Sequence, residues 1–227
     1  MRYLENFKIY ESNENVSGTK ERSERLLTQA QVEYKEDPNK PSDSVNLPSI
    51  MFTDVEGSSK LWSDDPISMA KQIEEHHKLI DQISSKWNGW IVKTIGDAFM
   101  VYFEPSEKSL ENALMCAKEI ILNEKKYNLR IGICNGPMDQ KTYRIQKVDL
   151  KDFYGNSVNV ASRMESKVAG ESGVIAFTSV LKGGEPASVT NTQTSKWGKI
   201  GKLESVDISK YDLKGAIAKK AWKLKIK

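Results

Sequence analysis

The chain has 227 residues, of which 38% are apolar and 29% charged, and a formal net charge of +3. That length supports one large domain, or one domain and a tail, with a real buried core, and the composition is ordinary for a soluble globular protein. So small a positive excess points away from nucleic acid as a partner, and neither a run of about 18 apolar residues nor a signal-peptide pattern marks a membrane segment.

Cys116 and Cys134 sit inside apolar runs instead of at disulfide or zinc spacings. This predicts an intracellular chain in which any metal takes oxygen ligands. Residues 1–47 are polar, charged and punctuated by Asn, Pro, Gly and Ser, which reads as an extension without its own core. Within it, Leu26, Leu27, Ala30 and Val32 give residues 19–34 a weak helical stripe. The folded domain is expected over residues 48–227.

From there the pattern is dense. "SIMFTDV" reads as a strand ending at Thr53-Asp54, and Asp65-Pro66 as the start of a helix whose stripe of Met69, Ile73, Ile80, Ile83 and Trp87 runs to about residue 87. His76 and His77 lie on or beside that stripe and read as packed side chains. "GWIVKTI" and "AFMVYF" are two strands joined at Gly96-Asp97. A helix after Pro105 buries Leu110, Ala113, Leu114, Ala117 and Ile121, and "NLRIGICNG" is the next strand. At the C-terminus Trp222, Leu224 and Ile226 alternate with Lys223, Lys225 and Lys227, as in a last strand with one face buried. Strand, helix, strand, strand, helix, strand is the split βαβ, ferredoxin-like arrangement: an α+β fold with helices on one side of an antiparallel sheet.

This order carries Asp54 and Asp97 to one end of neighbouring strands. Two carboxylates held close call for a cation between them, and hard oxygen ligands select Mg2+ or Mn2+. Gly-Asp is also common turn chemistry, so each aspartate alone means little. Beside Asp54, the small turn Val55, Glu56, Gly57, Ser58 offers backbone N–H groups to phosphate oxygens without the lysine spacing of a P-loop. In "DFYGNSVNVASRMES", Asn159 and Arg163 stand four apart on one helix face, where an amide can orient a sugar and a guanidinium can neutralise a phosphoryl group.

Together, "FTDVEGSSKLW", "KTIGDAFMVYF" and "YGNSVNVASRMES" resemble, in order, the three signature segments of the class III nucleotidyl cyclases. The first two are most similar to fungal and kinetoplastid adenylyl cyclases. The resemblance runs from about residue 49 to the C-terminus. It implies that Asp54 and Asp97 bind two divalent cations, Mg2+ or Mn2+, with the Val55 carbonyl near one of them. It makes Asn159 the ribose-orienting residue, Arg163 the transition-state arginine, and Lys214, in "DLKGA", the triphosphate lysine. In this family the two groups of residues come from different subunits, so a chain carrying both implies a homodimer with active sites at its interface. Pro137 stands where some mammalian cyclase halves carry a phosphate-contacting arginine, which puts one triphosphate contact in doubt.

Lys93 and Asp152 match the family's base-reading pair. Adenine offers an acceptor at N1 and a donor at N6, guanine the reverse, and Lys93 only donates while ionised Asp152 only accepts. The expected function is an adenylate cyclase making 3′,5′-cyclic AMP and pyrophosphate from ATP, in the cytoplasm or as a cytosol-facing catalytic part of a larger protein. The alternatives are guanylate or mixed specificity, a silent nucleotide-binding module that signals by dimerising, and a different palm-like nucleotidyl transferase, in which the Asn159/Arg163 helix and the Lys93/Asp152 pair have no task.

Overall fold

Every residue of the run Ser49–Val55 has a neighbour to pack against, because this strand, β1, lies inside a sheet covered on both faces. Ile50 and Met51, adjacent in sequence, are both fully buried, in two different cores. The computed structural model describes residues 46–145, 148–181, 185–187, 189–214 and 216–226, all within the unit Lys35–Lys227. The helix expected at 19–34 lies outside the described residues.

A short helix α1 (Ser58–Asp64) leads into α2 (Pro66–Lys86), capped by the Asp65 carboxylate, which accepts from the Ser68 amide at 3.0 Å, with proline at its first position. Strands β2 (Gly89–Ile95) and β3 (Ala98–Phe103) form a hairpin turning at Gly96, whose φ of 67° suits a residue without a side chain. Helix α3 (Ser109–Asn123) and strand β4 (Leu129–Asn135) complete the expected unit. These four strands lie in the order β2-β3-β1-β4, antiparallel throughout.

The chain then goes beyond what the pattern suggested. Strands β5 (Asp139–Ile145) and β6 (Val148–Tyr154) form a separate two-stranded ribbon, followed by α4 (Asn156–Arg163) and a π-helical turn, Met164–Ala169. Strands β7 (Val174–Ser179), β9 (Ala221–Lys225) and β8 (Lys202–Val206) extend the main sheet to seven strands, with α5 (Asn191–Ile200) between β7 and β8. Strand β7 pairs with β4 in parallel, so the sheet is mixed instead of purely antiparallel.

Helices also cover both faces, where one was expected. The first core gathers Met51, Val55, Phe99, Val101, Leu114, Ile120 and Ile131 beneath α2 and α3. The second places Ile50, Met100, Cys134, Val160 and Met164 beneath α4 and the π-turn. Gly132 on β4 allows that second layer to approach. A Cβ there would come within 2.0 Å of the Glu165 amide nitrogen and 2.4 Å of the Ala161 carbonyl. In the last strand, Trp222, Leu224 and Ile226 face the first core as expected, while Ala221 is buried in the second.

Candidate active site

Asp54 is the penultimate residue of β1 and Asp97 follows the hairpin glycine, and the backbone ties them together: the Val55 amide donates to Asp97 Oδ2 at 3.2 Å. The Asp97 carboxylate is thereby held against the end of the strand that carries Asp54. It is more enclosed than a hairpin tip would suggest, at 8% exposure. Behind the hinge, His77 stacks edge-on against Phe99 at 4.8 Å and faces the Gly96 carbonyl; burial first, then the neighbouring His76, hold its pKa below the usual range. His76 is buried and pairs with Glu124 at 2.7 Å, a structural contact.

Asp54 is not alone at its strand end. It lies opposite Arg130 of β4, and the Arg130 guanidinium donates to Asp54 Oδ2. The same guanidinium lies 3.3 Å from Glu165 Oε1, which comes from the π-turn. The close approach at Gly132 brings Glu165 there, and burial, then the charge of Asp54, push its carboxyl up to about 7, with Arg130 opposing the rise. Arg130 and Glu165 were missed in the sequence. Arg130 sits in "NLRIGICNG" as a single charge in an apolar strand, which is itself a signal. Glu165 reads as a solvated helix residue until the π-turn is known.

The turn after Asp54 is narrower as a phosphate cradle than its composition implied. Of the four amides from Val55 to Ser58, Val55 donates to Asp97 and Glu56 to the Asn128 carbonyl at 2.8 Å. Only Gly57, at φ 73°, and Ser58 keep theirs uncommitted among the described residues.

Lys93 and Asp152 meet, with Lys93 Nζ 2.6 Å from Asp152 Oδ2. Simple alternation along β2 would point Lys93 the same way as Ile91, into the α2/α3 face. A β-bulge at Val92 shifts the register, so that Ile91 opposes Val101 while Lys93 opposes Met100. Val101 belongs to the first core and Met100 to the second, so the extra residue turns Lys93 toward β6.

On α4, Asn159 is exposed and Arg163 half-buried, its Nε enclosed without a hydrogen-bond partner among the described residues. Lys214 is exposed, at φ 48°. Its loop is fastened to the start of α4, because the Asn156 side chain accepts from the Ile217 amide and donates to its carbonyl, both at 2.8 Å. Thus Lys93 pairs with Asp152, Asp97 is tied to Val55, and the Lys214 loop is tied to the Asn159/Arg163 helix. A cleft of about 340 Å³ lined by Ser68, Lys71, Gln72, Glu75 and Lys126 includes none of these residues.

The donor set at β1 fits a hard divalent cation only in part. Asp54 and Asp97 supply carboxylate oxygens, yet no three His, Cys, Asp or Glu side chains among the described residues form a metal-binding group. A cation there would fill its shell with backbone, water or substrate oxygens, as Mg2+ commonly does.

Comparison with known proteins identifies relatives of this fold. The chain is 25% identical over 216 residues to receptor-type adenylate cyclase A of Leishmania donovani, covering 76% of this chain and 15% of that protein. The chain therefore spans only about one seventh of the curated relative it matches. Its fold is similar to that of the Trypanosoma brucei adenylate cyclases solved in their monomeric state, with a TM-score of 0.61 at 20% identity over 84% of this chain and 93% of the other. It is equally similar to the catalytic core of a rhodopsin-guanylyl cyclase with converted specificity in complex with ATPαS, with a TM-score of 0.62 at 20% identity over 81% and 97% of the two chains. The family model described as the adenylate and guanylate cyclase catalytic domain matches residues 39–182, more than half of the chain. The protein belongs to the adenylate and guanylate cyclase catalytic domain family.

Proposed function

We propose that the chain is an adenylate cyclase that converts ATP to 3′,5′-cyclic AMP and pyrophosphate, in sites shared between two copies of itself. The observation that carries the reading is the Lys93–Asp152 contact at 2.6 Å, which brings together the two positions that match the family's adenine-reading pair. Adenine takes the ammonium at N1 and the carboxylate at the N6 amine.

The remaining residues supply positioning and charge. Asp54 and Asp97, with the Val55 carbonyl, would hold two Mg2+ or Mn2+ ions. These ions supply charge neutralisation and a lowered pKa at the ribose 3′-hydroxyl when bound. Asn159 orients the ribose so that the 3′-oxygen lies in line with the α-phosphorus. The new O–P bond forms as the bond to pyrophosphate breaks, and the hydroxyl proton passes to solvent. Arg163, whose Nε has no partner among the described residues, neutralises the α-phosphoryl oxygens. The amides of Gly57 and Ser58, with Lys214, hold the triphosphate. The family resemblance, in which the metal aspartates and the base-reading and Asn/Arg residues come from different subunits, favours completion of each site by a second copy, giving a symmetric homodimer. The catalytic domain acts in the cytoplasm or as the cytosol-facing part of a larger protein.

Purified chain incubated separately with ATP, GTP, CTP and UTP, with Mn2+ and with Mg2+, is expected to yield cyclic AMP above other cyclic products, identified by mass. Asp97→Ala should reduce turnover on the order of 10²-fold or more, by analogy with the loss of a single transition-state contact. Full turnover in that variant would remove the metal assignment. Cyclic GMP as the main product would establish guanylate specificity instead.

A further inference from the structure

The Lys93–Asp152 pair has a third member. The Tyr154 hydroxyl donates to Asp152 Oδ2 at 3.0 Å, the oxygen that also receives Lys93 Nζ at 2.6 Å. Asp152 Oδ1 accepts from the Phe153 amide at 2.8 Å, so both carboxylate oxygens are engaged. Tyr154 is itself braced from β5. The Tyr143 ring meets it edge-on at 6.1 Å, and Lys141 Nζ lies 5.5 Å from its centroid. Burial, followed by Tyr143 and the Asp152 charge, raises the phenol pKa, which keeps the hydroxyl a donor at any working pH.

A lysine and an aspartate do not by themselves choose between purines. On adenine the ammonium goes to N1 and the carboxylate to the N6 amine; on guanine the same two groups serve if they exchange places, the ammonium at O6 and the carboxylate at N1–H. Selection therefore requires that one of them cannot move. Lys93 reaches in from another strand and its side chain is 42% exposed, so it is the mobile member. Asp152 is fixed from its own strand by the Phe153 amide and by the Tyr154 hydroxyl two residues on.

We infer that Tyr154 is a specificity-determining positioning residue, whose hydroxyl pins Asp152 where an adenine amine is accepted and prevents the exchange that would admit guanine. When Lys93 leaves Oδ2 for the ring nitrogen, the vacated lone pair accepts a hydrogen bond from the N6 amine while the phenol keeps the carboxylate in place. The inference rests on the reading of Lys93 and Asp152 as the base-contacting pair.

The test is kcat/KM for ATP and for GTP, measured separately on the intact chain and on Tyr154→Phe. Loss of one hydrogen bond to a charged acceptor is expected to lower the ATP:GTP ratio about tenfold, with the melting temperature little changed. Tyr154→Leu, which offers no side-chain donor to Asp152, should do the same and serves if the phenylalanine variant folds poorly. A ratio unchanged in both variants, or an equal loss on both nucleotides, overturns the inference. If the unaltered chain cyclises neither nucleotide, the proposed reaction fails. The Tyr154 inference is then judged by competition between ATP and GTP for binding, where the same variants must shift the preference toward GTP or the inference falls too.

Discussion

Two charged knots lie on the α4 side of the sheet, and they are built to opposite specifications. At the end of β1, Arg130 is shared by Asp54 and Glu165, and the side chains are mostly enclosed, at 27%, 28% and 11% exposure. At the β2–β6 junction, Asp152 is shared by Lys93 and Tyr154, and its cation is considerably more open. A buried shared ion cannot lose a partner without stranding a charge, whereas an exposed one exchanges protein for water or ligand at little cost. The first knot therefore belongs to the architecture as much as to the chemistry; under the proposed reading of Lys93 and Asp152, the second is remade when a base binds.

Arg130→Ala should give the largest effect. It leaves Asp54 and Glu165 facing each other with no cation between them, and breaking such a half-buried pair costs about 2 kcal/mol. Urea denaturation at neutral pH measures this. A loss below about 1 kcal/mol would show that water already compensates the site, and the contrast between the knots would disappear.

How much of this was legible in the sequence follows from what each part depends on. The four-strand unit rests on apolar periodicity and two turns, and those are local: Asp65-Pro66 set the start of α2, and Gly96 the hairpin. The pairing of β1 with β3 then brought Asp97 to the end of β1 without further information. Contacts set by a departure from regular geometry were not legible. The bulge at Val92 turns Lys93 over, and no propensity marks it, since Val92 fits a regular strand equally well. The π-turn at Met164–Ala169 brings Glu165 onto β4, where an α-helical count would place its neighbours differently. The β5–β6 ribbon was overlooked although "VDLKDFY" opens with a strand-like alternation, because its partner "DQKTYRI" carries too few apolar residues to read as a strand. They pair with each other outside the main sheet and have little core to face.

Glu165→Gln isolates the electrostatic part of the buried knot at a smaller scale. A carboxyl whose folded pKa is raised to about 7 from 4.5 binds more protons in the folded than in the unfolded chain between those values. Its contribution is therefore fully present below about pH 4.5 and is lost as pH rises through about 7. The shift corresponds to at most about 3 kcal/mol, and screening at this partly open strand end reduces it to about 1–2 kcal/mol. Denaturation midpoints at pH 5 and pH 7.5 should differ less in the glutamine variant than in the parent chain by that amount. An identical pH dependence in the two would mean that Glu165 is already ionised beside Arg130.

The exposed knot should give the smallest stability change and the clearest change in selectivity. Lys93→Met removes an ammonium whose side chain is 42% exposed, and a pair of this kind is worth less than about 1 kcal/mol to folding. Its kcat/KM for ATP should nonetheless fall more than that for GTP, because the donor to adenine N1 is gone while Tyr154 still holds Asp152 in place. A methionine variant that melts several degrees lower, yet keeps its ATP:GTP ratio, would reverse the assignment of the two knots. The Lys93–Asp152 contact would then serve to anchor the β5–β6 ribbon to the sheet, and base selection would lie elsewhere.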